Sequence, residues 1–240
     1  MSRLSRLSVS IETEKEHRVT GGRRRGWLVV GLFIVAFAAA LAVDVPVSTW
    51  VHDSGLAAWM KSRWWVAERV TLPLNIRANF SLIRFPGNFM FTIVACAVML
   101  AVARAEGVAR GERLWRKAAI VFLAGIFSGI NSPMKWVVGR IRPFHGVPPF
   151  ELHPFRYGLL HAEAGFSFPS GDASLAFAMA MALSITVPRH RWLWWALAVM
   201  VGIERVCENA HYPSDVVAGA ALGVGVAVLA KGIVGWVAGK

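Results

Sequence analysis

The sequence predicts an all-α, polytopic membrane protein: six transmembrane helices in a bundle, with an interfacial helix in the first outer loop. Three observations carry that expectation. Of the 240 residues, 56% are hydrophobic and only 17% charged, against about 25% charged in an ordinary soluble domain. Mean hydropathy is +0.51. The apolar residues gather in six runs separated by basic or turn-rich segments. This content excludes disorder for the bulk of the chain. It also leaves no room for a disulfide scaffold. Cys96 and Cys207 lie in apolar or near-apolar surroundings and read as buried free thiols.

Taken in order, residues 1–26 form a basic cytoplasmic tail, expected to be mobile, and residues 27–240 form the membrane domain. The first span is 27–43. Its Ala38–Ala42 stretch resembles a signal-cleavage region, but 17 apolar residues behind a long polar head favour an uncleaved helix. In the segment that follows, Trp50, Trp59, Trp64 and Trp65 alternate with Lys61, Arg63 and Arg69, the pattern of a helix lying on the membrane surface. The remaining spans are 89–103, 118–133, 173–187, 192–203 and 216–238, the last interrupted by Lys231. Several are shorter than the ~20 residues a bilayer requires, and flanking Trp and Arg extend them by snorkelling. Gly and Ala are dense in the third, fourth and sixth spans, which lets helices approach closely.

Basic residues set the orientation. The head carries Arg3, Arg6, Lys15 and Arg23, the second connection Arg104, Arg110, Arg113, Arg116 and Lys117, and the fourth Arg189 and Arg191. These lie on one side of a six-span chain, which is therefore expected to be cytoplasmic, with both termini inside and the protein in the plasma (inner) membrane. The opposite side is also basic, with Lys61, Arg63, Arg69, Arg77 and Arg84, so some outer charges are expected to have a separate task. The formal net charge is +12. Without zinc-finger spacing or an isolated basic domain, it points to cytoplasmic loops, lipid headgroups and an anionic substrate, and not to a nucleic-acid partner.

Three polar clusters lie on the outer side, where ionisable groups at membrane depth need a reason. The first is Lys135-x6-Arg142-Pro143. Lys135 and Arg142 are two helical turns apart and share a face of a helix expected to stop at Pro143. Alone, this is equally a basic helix end anchored to headgroups. The second is Pro169-Ser170-Gly171-Asp172, opening the fourth span. A turn of this kind presents free N–H groups and a partial positive charge to an oxyanion, or is simply a capped helix start with Ser170 or Asp172 as the cap. The third is Glu204-Arg205-x5-His211-x3-Asp215, with Pro213 in the first turn of the last span. Here Asp215 is placed to hold one imidazole nitrogen of His211 and leave the other as a nucleophile, or the two form a satisfied pair at a helix cap.

In order and spacing the three clusters resemble the signature of the type 2 phosphatidic acid phosphatase (PAP2) superfamily: Lys-x6-Arg-Pro, then Pro-Ser-Gly-His, then Ser-Arg-x5-His-x3-Asp. The resemblance implies an integral-membrane lipid phosphatase acting through a phosphohistidine. In that scheme His211 attacks phosphorus, Asp215 orients it, and Lys135, Arg142 and Arg205 neutralise the phosphate oxygens while Ser170 and the Gly171 N–H complete the cradle. Fixed cations and a helix start stabilise such a transition state with no metal and no cofactor. A phosphorylated lipid is the implied substrate, and membrane lipids are the surroundings.

Two positions depart from the signature. Glu204 replaces the serine before Arg205, which bears on how that arginine is held. Asp172 replaces the histidine that would protonate the leaving alkoxide. Asp has an ordinary pKa of about 3.9 and does not normally donate a proton. Either burial keeps Asp172 protonated, or His145, His153, His161 or Glu163 acts in its place, or the leaving group needs little protonation. The last case favours a lipid diphosphate. A phosphotransferase and a non-catalytic lipid-binding or transport homologue are the alternatives.

Overall fold

The computed structural model describes residues 3–62, 68–72, 76–80, 83–105, 108–143, 151–156 and 165–239. Helix α1 runs Arg3–Asp53 and α2 Leu56–Lys61; strands β1 (Glu68–Leu72) and β2 (Ile76–Phe80) follow. Then come α3 (Phe89–Ala105), α4 (Val108–Ser128), α5 (Asn131–Val138), α6 (Gly171–Thr186), α7 (Arg191–Cys207) and α8 (Pro213–Ala238). Five of the six apolar runs fall almost wholly within one helix each, and the third, 118–133, crosses from α4 over the turn 129–130 into α5. By length and composition, three helical stretches suffice to cross a membrane: Gly26–Asp53, Glu112–Val138 and Pro213–Ala238. Phe89–Ala105 and Gly171–Thr186 are shorter apolar helices. The chain divides after Ala39 into two compact units, the N-terminal part of α1 and the body Ala40–Lys240.

Side chains are sorted as in a membrane protein. In the body, buried positions are mostly small: Ala118, Ala124, Ala178, Ala182, Ala227 and Ala230. Large apolar groups point outward instead, among them Val98, Phe122, Ile126 and Leu229. With hydrocarbon as the surroundings, burying large side chains brings little gain, and close backbone approach provides the packing. The α6–α8 pair shows this. A Cβ on Gly223 would lie 2.1 Å from the Ser174 carbonyl, and one on Gly219 would lie 2.5 Å from that of Ser170. Both cysteines are free thiols, Cys96 buried and Cys207 half-buried.

Three expectations are corrected. Helix α1 begins at Arg3 and not near Trp27, since Glu12–Glu16 consist largely of good helix formers. It also continues through Pro46 to Asp53, which makes Asp44 a helical residue. In the segment after the first apolar run, the described residues are helical at Leu56–Lys61, with Trp59 half exposed, and an antiparallel strand pair follows, pairing Glu68 with Phe80 and Leu72 with Ile76. Pro73 and Asn75 between the strands are turn formers that end a helix. Trp64, Trp65 and Arg63 lie outside the described residues.

The third correction moves the site. Helix α5 ends at Val138, well before Pro143, because Gly139 takes the left-handed conformation with φ 66° and donates its N–H to the Lys135 carbonyl at 2.8 Å. A side chain there would also meet the His153 backbone at 2.3 Å. Beyond Gly139 the chain is extended: Arg140 pairs with Leu152 and Ile141 with Phe166. Lys135 and Arg142 therefore approach the site from a helix and from an extended segment, not from one helical face.

Candidate active site

The three clusters converge where α5 ends, α6 begins, α7 ends and α8 begins. A cavity of about 460 Å³ opens there, and its lining includes Lys135, Arg142, Gly171, Asp172 and His211 together with Asn131. Phe89 and Ile126, 41% and 46% exposed, also line it, so the polar mouth is continuous with apolar helix faces.

His211 is 3% exposed. Its Nε2 lies 3.4 Å from Arg142 Nη1, which also donates to the Ala210 carbonyl at 3.3 Å. Burial, together with Arg142, Lys135 and Arg205, pushes the imidazole well below its ordinary pKa. A neutral ring beside a guanidinium carries its lone pair on Nε2 and its proton on Nδ1. That Nδ1 faces Asp215 Oδ2 at 3.7 Å, too far for a hydrogen bond in this state. Asp215 is fully buried, and Oδ2 instead accepts the Tyr212 N–H at 2.8 Å, capping α8. Its Oδ1 accepts from Arg140 Nη1 at 2.7 Å.

Ser170 is the N-cap of α6. Its Oγ accepts from the Ala173 N–H at 3.4 Å, and its own N–H donates to the Asp215 carbonyl at 3.0 Å. It is fully buried behind Gly171, which lines the cavity. A Cβ on Gly171 would approach Asn131 Oδ1 at 3.0 Å, so the tight approach of α5 to this turn relies on glycine.

Arg205 is surrounded by carboxylates. Nη1 donates to Asp172 at 3.2 Å, Nε to Glu204 at 3.0 Å, and Nη2 to Glu208. Glu204 thus holds the arginine that it precedes. Arg84 joins the same cluster, at 2.9 Å from Glu208, 3.7 Å from Glu204 and 4.0 Å from Asp172. The turn Phe85–Gly87 brings it there; a Cβ on Gly87 would meet the Asp172 carbonyl at 2.6 Å. Arg205 is therefore beside the site but absent from the cavity lining, and Asp172, 32% exposed at its side chain, is the carboxylate that reaches both. His153 pairs with Glu151 at 2.8 Å and does not line the cavity. His145, His161 and Glu163 lie outside the described residues.

Sequence reasoning missed Asp44, Arg84 and Arg140 as site residues. Arg140 lies within the Lys-x6-Arg spacing, and Arg84 belongs to the surplus of outer positive charge. Asp44, a lone carboxylate at the end of an apolar run, was the available signal for the third. Among the described residues no group of three or more His, Cys, Asp or Glu is arranged to hold a metal ion.

A buried histidine, the cations Lys135 and Arg142 and the N-terminus of α6 thus lie around one cavity where four helix ends meet. The PAP2 superfamily model matches residues 113–237, and the chain belongs to that family. It is 39% identical over 109 residues to a lipid A 1-phosphatase of Rhizobium etli, a match covering 44% of this chain and 45% of the relative. It is 34% identical over 121 residues to an undecaprenyl-diphosphatase of Sulfolobus acidocaldarius, covering 50% and 55%. The chain thus spans about half the length of these curated relatives. Among solved structures, a transmembrane PAP2-type phosphatidylglycerolphosphate phosphatase from Bacillus subtilis aligns with TM-score 0.44 at 21% identity, covering 82% of this chain and 95% of that one.

Proposed function

We propose that this protein hydrolyses a lipid phosphate or diphosphate through a phosphohistidine at His211. It does so from the outer face of the plasma (inner) membrane, with six spans and both termini cytoplasmic. The observation that carries the reading is the neutral imidazole of His211, with Nε2 3.4 Å from Arg142 Nη1, in the lining of a cavity that Lys135 and Arg142 share. The names of the similar proteins, a lipid A 1-phosphatase and an undecaprenyl-diphosphatase, support lipid-borne phosphate as the substrate class.

In the first step His211 Nε2 bonds to phosphorus while the bond to the leaving oxygen breaks, and its electron pair departs with that oxygen. Lys135, Arg142 and the α6 N-terminus at Gly171 stabilise the charge on the equatorial oxygens. Asp215 steadies the imidazolium-like ring once Nδ1 moves within hydrogen-bond range, a tightening common on substrate binding. Arg205 supports the phosphate from behind Asp172. In the second step water attacks phosphorus, the Nε2–P bond breaks, and the pair returns to the ring. Asp172, ion-paired with Arg205 at 3.2 Å, is placed as a carboxylate. Its part is to hold Arg205 and not to donate a proton to an alkoxide, which again favours a diphosphate substrate; the water proton leaves with the product phosphate.

The test is phosphate release from a polyprenyl diphosphate and from a lipid monophosphate by the purified full chain in EDTA. Release without added metal, faster on the diphosphate, is expected. Activity that vanishes in EDTA and returns with one divalent ion would overturn the metal-free scheme. Tight lipid binding without any release would instead favour a non-catalytic homologue.

A further inference from the structure

We propose that Asp44, on α1, is a positioning residue for the reaction, acting on His211 through Arg140 and Asp215. This rests on the phosphohistidine reading of His211. Asp44 is fully buried. Its Oδ2 accepts from Arg140 Nη2 at 2.8 Å and from Ser214 Oγ at 2.5 Å, and its Oδ1 accepts from the Ser214 N–H at 2.9 Å. The other arm of the same guanidinium, Arg140 Nη1, donates to Asp215 Oδ1 and to Ser214 Oγ, each at 2.7 Å. Two buried carboxylates from helices far apart in sequence therefore share one buried cation.

That sharing has an electrostatic consequence. Arg140 alone with Asp215 would cancel its charge, and in a low-dielectric interior little would remain to act on the imidazole 3.7 Å away. Asp44 draws on the same cation, so the trio keeps a net negative charge behind Nδ1. Three cations act on His211, namely Arg142, Lys135 and Arg205, against the single carboxylate of Asp172, which lines the same cavity and is ion-paired with Arg205 at 3.2 Å. The Tyr212 ring lies under Arg140, with its centroid 4.0 Å from the guanidinium carbon, and its phenol, pushed up to about 12 by burial, stays uncharged. The trio thus offsets a cationic cradle that would otherwise oppose charge on the phosphorylated ring. It also fixes the entry of α8, because Asp44 holds Ser214 by both its side chain and its backbone.

The test uses the full chain in lipid nanodiscs, with a polyprenyl diphosphate as substrate and kcat and KM measured across the acid limb. Asp44→Asn keeps the shape and removes the charge. It is expected to lower kcat about tenfold, the scale of coupling within one buried network. KM should barely change, since Lys135 and Arg142 still bind the phosphate. The acid limb of kcat/KM should move to lower pH by about half a unit or more, because His211 protonates less readily without the negative charge. Asp44→Glu should return the limb towards its original position. In an Asp215→Asn background, Asp44→Asn should add less than about twofold. A purely structural Asp44 would lower the yield of active protein while leaving the limb in place, and effects that multiply in the double variant would place Asp44 on a separate route. Either result overturns the proposal. If neither Asp44→Asn nor Asp44→Ser folds, Asp44 serves assembly alone and the proposal falls. Turnover retained by His211→Ala would overturn the phosphohistidine reading, and this proposal with it. An inactive His211→Ala beside an unaltered Asp44→Asn would overturn this proposal alone.

Discussion

Replacing His211 with alanine removes the nitrogen beside Arg142 while leaving the cap of α8 intact, because Asp215 caps the helix through the Tyr212 N–H. His211→Ala is expected to abolish phosphate release and still elute as a folded protein on size exclusion. The depressed pKa of this ring has a defined sign. Its folded value lies well below about 6.5, so the nucleophile stays neutral there, and the acid limb of kcat/KM should lie below pH 6.5. Between its folded value and about 6.5 the unfolded chain takes up the proton first. The contribution to stability is therefore present above about 6.5 and lost as pH falls through the folded value. Thermal melts of wild type and His211→Ala across that window check this: the two should converge as the pH falls. Asp172→Asn should keep most of the activity on a diphosphate, because Glu204 and Glu208 still hold Arg205. Asp172→His should raise the rate on a monophosphate by supplying a proton donor. A uniform loss of about 10²-fold for Asp172→Asn, the usual scale for a missing general acid, would contradict that account. The motif residues were legible because their spacing is local. The Asp44–Arg140 pair, 96 residues apart, was not, since no spacing rule connects a lone aspartate on α1 to an arginine inside another motif.

Glycine at two positions on α8 sets how closely it meets α6. Gly223→Ala would place a methyl 2.1 Å from the Ser174 carbonyl and 2.8 Å from the Ala178 nitrogen, both backbone atoms that cannot step aside. We expect a loss of about 1–3 kcal/mol, the usual scale of overpacking. It should be read as a lower unfolding temperature, with activity falling as well because both helices begin at the site. Gly225→Ala, with nothing within 4 Å, is the control and should be neutral. At this scale each apolar run marks a helix of 16 or more residues among the described residues, since hydrophobic run length is a direct signal, although only three helical stretches are long and apolar enough to cross a membrane. The boundaries were less legible. Gly139 ended α5 ahead of Pro143 through a left-handed cap, a stop signal that the Lys-x6-Arg spacing conceals. The hairpin Glu68–Phe80 is alternating and Trp-flanked, and composition alone does not separate it from an interfacial helix.

At the scale of the body Ala40–Lys240, small residues inside, large apolar groups outside and a polar cavity next to exposed Phe89 and Ile126 suit the proposed lipid substrate, its phosphate in the cavity and its chain along the apolar faces. The topology proposed for it predicts that a cysteine introduced at Arg156 is labelled by an impermeant maleimide from outside intact cells, while one at Arg113 is not; the reverse pattern would place the chemistry on the cytoplasmic face. The proposed chemistry stands or falls with the covalent intermediate. It is tested most directly by rapid acid-free quenching of the enzyme during turnover of a lipid diphosphate labelled in its terminal phosphate, followed by peptide mapping. Acid-labile, base-stable label is expected on the peptide carrying His211 and absent from His211→Ala. Label on another residue, or full turnover by His211→Ala, would contradict it.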